Sequence, residues 1–204
     1  MISLKKTIIY KHRKHFLWKF IKENQKILDI GNIGFLNGKI HKNSYFSETF
    51  KRFKKTKFYG IDLELPPENS PQYLNQIQHD VNTGIPYDNN SFDLIYLGQI
   101  LEHLENPNFV ISEIYRVLVK SGKLIIDVPN PYSIDRILKY LLFRTEHLGE
   151  DSHLIFYTPD SINRLLTKNN FIIQEIATDW EFQSKKYLLI PKFFRDGLGS
   201  HLLV

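Results

Sequence analysis

Cysteine is absent from the 204-residue chain. That excludes disulfide scaffolds, thiolate metal sites and any cysteine nucleophile, and it fits a reducing compartment, with the cytoplasm as the default. Long apolar runs are absent too. Stretches such as Leu124–Ile126 and Leu188–Ile190 are strand-sized and bounded by charge or proline, so no membrane crossing is expected. The first twenty residues are basic, but Lys, His and Arg interrupt their apolar positions too often for a signal-peptide core. Internal repeats and low-complexity linkers are also missing. What remains is the composition of a folded protein, 42% apolar and 24% charged, which excludes disordered, collagenous and coiled-coil chains and suits one domain. Lys plus Arg number 27 against 22 Asp plus Glu, a formal charge of +5, which favours a polyanion only weakly and is common among enzymes.

From Thr7 to Asn24, Ile9, Phe16, Leu17, Phe20 and Ile21 recur at helical spacing with Lys11, Arg13, Lys14, Lys19 and Lys22 between them. Residues 1–25 therefore read as an amphipathic cap helix with a solvated basic face. Contact with nucleic acid or an anionic surface is the competing reading of that face. Next come four short apolar runs, Lys26–Ile30, Lys57–Asp62, Phe92–Leu97 and Lys123–Val128, with the length and content of buried parallel strands. Phe46, Phe50 and Phe53 form a helical stripe between the first two. Val110, Ile114, Val117 and Leu118 form another between the last two, closed by Lys120-Ser121-Gly122. Strand and helix alternate, which predicts a doubly wound α/β sheet. A further helix is expected over Ser133–Phe143, and another beginning at Thr158 as N-cap with Pro159 and Asp160 in its first turn. Phe171–Ile176 and Tyr187–Ile190 read as an antiparallel pair at the sheet edge. Leu202, Leu203 and Val204 read either as a dimer contact or as a frayed tail.

In open α/β sheets ligands bind beyond the carboxyl ends of the strands. There the sequence places Asp29-Ile30-Gly31-Asn32-Ile33-Gly34, an acid and a glycine turn that would bring backbone close to a ligand and start a helix. Asp62 follows the second strand, where a carboxylate can accept both hydroxyls of a ribose. Asp80 stands in a short polar turn before Pro86, and Leu97-Gly98-Gln99 leaves the next strand. Turn chemistry and helix caps are the plain alternative for each.

The segments KILDIGNIG, FYGIDLE, HDVNTGIPYDNNSFDLIYLGQILEHL, EIYRVLVKSGKLIIDVPN and HLIFYTPDSINRLLTKNNFIIQEI run in order from about Lys26 to Ile176. Together they resemble the class I S-adenosylmethionine-dependent methyltransferases, in the broad group of small-molecule and ubiquinone-pathway enzymes. The resemblance implies a Rossmann-like, doubly wound, mostly parallel seven-stranded sheet over residues 26–204, with an antiparallel strand at the C-terminal edge and an acceptor-side lid over 129–158. It implies S-adenosyl-L-methionine as cofactor, with Asp29, Gly31 and Asn32 by its methionine part. Asp62 and Leu63 would hold ribose and adenine, Asp80 and Val81 would lie at the adenine edge, and Leu97 and Gln99 would stand beside the sulfonium. Ile33 and Phe35 depart from the pattern, which usually has glycine there; Ile33 would crowd the cofactor unless Gly34 and Gly38 give the loop another path.

Gln99, Glu102 and His103 have helical spacing and would share a face looking into the pocket, and His153 would close over it. Small-RNA 3′-end and ubiquinone-pathway methyltransferases show a similar Glu/Glu-His set holding a divalent metal. Here Gln99 replaces the first acid and lowers the charge available, so no metal is assigned. His103 and His153 are candidate general bases toward an acceptor hydroxyl, with Glu102 beside them; structural hydrogen bonding is the plain alternative. On the acceptor side, Arg136, Lys139 and Arg144 read as an ordinary amphipathic helix facing water, or as a lid meeting an acidic acceptor, and Tyr132, Tyr140 and Phe143 as core aromatics or stacking platforms. The expected activity is methylation, with oxygen first, of a small-molecule, glycan or lipid-precursor acceptor. RNA methylation and a cofactor-free binding module are the alternatives.

Overall fold

The computed structural model describes residues 8–33, 35–36, 39–40, 46–65, 75–145, 152–180 and 197–204. Four strands follow the apolar runs: β2 (Lys26–Ile30), β5 (Lys57–Asp62), β7 (Phe92–Gly98) and β8 (Leu118–Pro129). With β1 (Ile8–Tyr10), β6 (Asn75–Gln78), β9 (Ala177–Asp179) and β10 (His201–Leu203) they form one eight-stranded sheet in the order β1-β9-β10-β8-β7-β2-β5-β6. The pairs β2·β5, β2·β7, β5·β6, β7·β8 and β1·β9 are parallel, and β10 is antiparallel to both neighbours.

The runs are apolar throughout because each strand is covered on both faces. Leu28, Ile30, Ile95, Leu97, Ile126 and Val128 face α3 (Pro107–Val117) and α5 (Pro159–Lys168), meeting Val110, Ile111, Ile114, Ile162 and Leu166. The alternate residues Ile27, Leu94, Tyr96 and Ile125 point the other way, toward Phe16 and Leu17 of α1 (Arg13–Phe20). Local chemistry fixes the helix starts. Asn106 caps α3 by accepting from the Phe109 N–H, and Thr158 and Ser161 form a reciprocal capping box on α5. A fourth helix, α4 (Ile134–Phe143), follows β8 as the periodicity predicts.

Several expectations are corrected. The N-terminal segment is a three-residue strand and an eight-residue helix, not one helix over Thr7–Asn24, because Ile8–Tyr10 find ladder partners at Ala177–Asp179. The turn after β2 leads into a small hairpin, β3 (Phe35–Leu36) with β4 (Lys39–Ile40), and α2 (Phe46–Arg52) begins only after it. Phe171–Ile176 has no assigned strand. Pairing begins one residue later at Ala177, where β1 and β10 supply partners, while the side chains of Phe171, Ile173 and Ile176 pack on the core without a strand ladder. Tyr187–Ile190 lies outside the described residues. The antiparallel strand at that end of the sheet is β10, with Leu202 and Leu203 buried on opposite faces; they are neither tail nor exposed contact.

From β2 the chain steps one way through β5 to β6, then returns to the opposite side of β2 and steps the other way through β7 to β8. The order reverses between β2 and β7, and in open α/β sheets ligands bind outside the carboxyl ends of the strands at such a reversal.

Candidate functional site at the strand reversal

At the end of β2, Asp29 is buried, and the chain then turns through Gly31, whose φ of +74° lies in the left-handed region. Only glycine is comfortable there, because a Cβ would also collide with the Ile100 side chain. The Gly31 N–H donates to the Ile61 carbonyl at 2.8 Å, and the Ile33 N–H donates to Asp62 Oδ2, also at 2.8 Å. Asp62 Oδ1 accepts from the Glu64 N–H at 3.2 Å. A carboxylate offers about four lone-pair sites, so Asp62 orders both strand-end turns and keeps acceptor capacity for two hydroxyls. The Ile33 side chain is buried, its backbone N–H committed to Asp62. Gly34 and Gly38 lie outside the described residues, and of Phe35 only the backbone, in β3, is described.

Asn32 and Gln76 exchange side-chain amide hydrogen bonds of 2.8 and 3.0 Å, passing directly over Gly60 in the strand between them. Gln78 donates to the Leu63 carbonyl at 2.9 Å, and the His79 N–H donates to the Asp62 carbonyl at 2.8 Å. Leu63 stands exposed beside Asp62, and Val81 is buried. Asp80 is the N-cap of a 3-10 turn at Val81–Thr83, accepting from the Asn82 N–H at 2.9 Å. Asp29, Gly31, Asn32, Asp62, Leu63, Asp80 and Val81 therefore gather at adjoining strand ends.

Gln99 departs from its expected place. Leu97 ends in the core, and Gln99 takes φ +57°, a conformation that costs a non-glycine residue about 1–2 kcal/mol. Its side chain turns away from Glu102 and His103 and donates to Asp127 Oδ1 at 2.8 Å, while its backbone N–H donates to the Asp127 carbonyl at 2.7 Å. Glu102 and His103 sit on a separate 3-10 turn at Leu101–His103, so no helical face unites the three. Asp127 is buried within β8, and its Oδ2 accepts from Tyr96 Oη at 3.1 Å and Arg13 Nη1 at 3.0 Å. Sequence reasoning missed Asp127 and Arg13; the signal was an acid inside an otherwise apolar strand. A second missed pair, Asp179 with His201 Nδ1 at 2.9 Å, ties β9 to the start of β10 opposite Pro129.

Glu102 is fully buried. The segment from Ser152 lies over its turn: the Leu154 N–H donates to the Glu102 carbonyl at 2.8 Å, and His153 Nε2 stands 4.0 Å from Glu102 Oε1. The His103 and His153 rings meet edge to face at 4.7 Å. His103 Nδ1 is 3.2 Å from the Ser152 carbonyl. A carbonyl only accepts, so Nδ1 carries the proton and Nε2 of a neutral ring keeps the lone pair. Burial pushes the Tyr157 hydroxyl up to about 12, with the Glu102 charge adding to the effect. Burial also lowers the Arg136 guanidinium, against the opposing pull of Asp135 and Glu102. Arg136 donates to the Asn130 carbonyl at 3.2 Å and lies 4.8 Å over the Phe156 ring. Glu102, His103 and His153 are thus brought together, as the sequence suggested, and Arg136 and Tyr157 frame them.

Residues 41–126 match the family model of the methyltransferase domain. A search among curated proteins finds no match. Among solved structures, the chain is similar to a chain of the Haloferax volcanii complex between the Trm112 methyltransferase activator and a methyltransferase, at 14% identity over 94% of this chain and 85% of that one, with a TM-score of 0.65. It is similar to an S-adenosylmethionine-dependent methyltransferase of Archaeoglobus fulgidus at 17% identity, 95% and 90% coverage and a TM-score of 0.63. A third, from Mesorhizobium loti, gives 17%, 93% and 94%, and 0.61. At these identities the structural likeness is one of fold.

Proposed function

We propose that this chain is a class I S-adenosylmethionine-dependent methyltransferase that methylates a hydroxyl oxygen of a small-molecule, glycan or lipid-precursor acceptor, a reading supported by the methyltransferase-domain match over residues 41–126. The observation that carries the assignment of the pocket is Asp62: its carboxylate joins the turns after β2 and β5 and retains lone pairs for two ribose hydroxyls. Asp29, Gly31 and Asn32 border the methionine part, Leu63 offers an apolar face to the adenine, and Asp80 and Val81 bound its edge, while Leu97 in the core and Gln99 on Asp127 act behind the pocket wall. When bound, S-adenosylmethionine supplies an electrophilic methyl group. The chain's own part is to hold the acceptor in line and receive its proton. His103 Nε2 takes that proton, because Nδ1 is tethered to Ser152. Glu102, behind His153, compensates the charge that imidazole gains. Residues 1–25 serve as a cap on the 26–204 catalytic domain, and 129–158 form the acceptor side. The lack of cysteine supports a cytoplasmic location.

A second reading has one specific observation behind it. Ligand atoms of Glu102, His103 and His153 all lie within 4.8 Å of one another, among the described residues, and two imidazoles with a carboxylate suit a divalent transition metal. Titration with Mn2+ and Zn2+ decides it, and heat of binding lost in His153→Ala would favour the metal.

Calorimetric titration with S-adenosylmethionine and S-adenosylhomocysteine, with a dinucleotide as control, tests the main reading. Binding of the first two only is expected, and Asp62→Ala should weaken it at least tenfold. Silence in the wild type would point to a cofactor-free module. His103→Ala should lower turnover while leaving cofactor affinity intact; steeply salt-dependent RNA binding would favour an RNA acceptor instead.

A further inference from the structure

Among the described residues, nothing covers the C-terminal half of α4. None of its ten residues is buried, and every residue from Leu138 to Thr145 is exposed. Leu138, Tyr140, Leu141, Leu142 and Phe143 are all large and apolar, with Leu142 at 72% and Phe143 at 68% exposure. Successive helical residues are about 100° apart, so Leu138, Leu141 and Leu142 continue one apolar stripe with Ile134 and Ile137, and Lys139, Tyr140, Phe143 and Arg144 lie on the other side of the helix. Leu154 and Ile155 add exposed apolar surface on the segment that follows, whose Phe156 lies under Arg136 of α4. Within the exposed turns, residues 138–145, the charges have one sign, Lys139 and Arg144; Asp135 stands at the start of the helix, and Glu146, Glu150 and Asp151 follow it in the sequence. An exposed patch of this kind marks an interaction site.

We propose that the outer turns of α4 dock on the surface of an anionic lipid bilayer. Two features select a bilayer over a protein partner. The apolar stripe lies opposite the cations Lys139 and Arg144, the division that lets a helix lie in the plane of a bilayer surface. Apolar residues mixed with Tyr140 and Phe143 and with exposed cations also match the boundary between acyl chains and acidic headgroups. Docking would present the Ser152–Tyr157 side of the candidate site to the interface, where an amphiphilic acceptor is concentrated. The docking itself does not rest on the methyl-transfer reading.

Flotation of the full chain with vesicles of phosphatidylcholine, with and without about one-third phosphatidylglycerol, tests this. The wild type should float with the anionic vesicles and bind neutral ones at least tenfold less tightly, with binding weakened by salt. Each cation near the surface is worth about 1 kcal/mol, so Lys139→Gln/Arg144→Gln should lose about 30-fold. Leu142→Glu/Phe143→Glu should lose more, with an unchanged circular dichroism spectrum because both positions face solvent. Failure of the wild type to float, or flotation of the apolar double variant at wild-type level, would overturn the proposal. So would a concentration-dependent dimer in sedimentation that this variant abolishes without any vesicle binding, since that assigns the patch to a second copy of the chain.

Discussion

Arg13 should be as important to the site as residues much closer to it. Its Nη1 meets Asp127 Oδ2 at 3.0 Å, with side-chain exposures of 16% and 1%, and Asp127 is the group that holds Gln99 in its left-handed conformation. Removing one partner of a buried ion pair costs about 3–5 kcal/mol. Here the cost is lower, about 2–3 kcal/mol, because Arg13 keeps some water and because Tyr96 and Gln99 still donate to the carboxylate, each such charged hydrogen bond contributing about 1.5–3 kcal/mol. For a chain of this size 1 kcal/mol is about 2–4 °C of Tm, so Arg13→Ala should unfold about 4–12 °C earlier in calorimetry. Arg13→Lys should recover part of the loss by restoring charge without the fork. Lys11→Ala, two residues away and exposed, should change stability by no more than about 0.5 kcal/mol. Cofactor affinity should fall in Arg13→Ala and return in Arg13→Lys. A transition within 1 °C of wild type, or a loss matched by Lys11→Ala, would refute the claim that Asp127 needs its cation.

Gly60→Ala should be destabilising by about 1–3 kcal/mol, since the new Cβ would collide with Gln76 Oε1 and come within 2.8 Å of Asn32 Nδ2, opening the amide pair; a urea midpoint equal to wild type would contradict it. Tyr157 predicts an alkaline limb. Its folded hydroxyl titrates near 12 against an ordinary 10.0, so the folded state holds the proton longer and the resulting stability, complete below pH 10, is lost between about 10 and 12. Tyr157→Phe should flatten that limb in stability measured against pH, and an unchanged limb would reassign it. Thr158→Ala removes a capping box and should cost about 1 kcal/mol, seen as a lower urea midpoint with an unchanged slope.

What could be read from the sequence follows from which interactions are local. β2, β5, β7 and the apolar half of β8 were legible because burial on both faces makes each a continuous apolar run. α5 was legible because Thr158, Pro159 and Asp160 carry its start within three residues. By contrast β1, β9 and β10 are three residues each and are defined by long-range pairing with one another and with β8: Ile8 meets Ala177, and Leu203 meets both Ala177 and Asp127. No periodicity is long enough to announce such strands. The site divides the same way. Strand-end acids such as Asp62 and Asp80 occupy the carboxyl-end positions at which open α/β sheets bind ligands, so topology alone singles them out. The fate of Gln99 was decided by Asp127, 28 residues on, and that of Asp127 by Arg13, 114 residues back. The family match spans residues 41–126, so both Asp127 and the cation that completes this chain of contacts lie outside the matched segment. Through Asp127 the N-terminal helix is tied to the turn after β7, and its basic face is explained at Arg13 by an internal carboxylate before any external polyanion is needed.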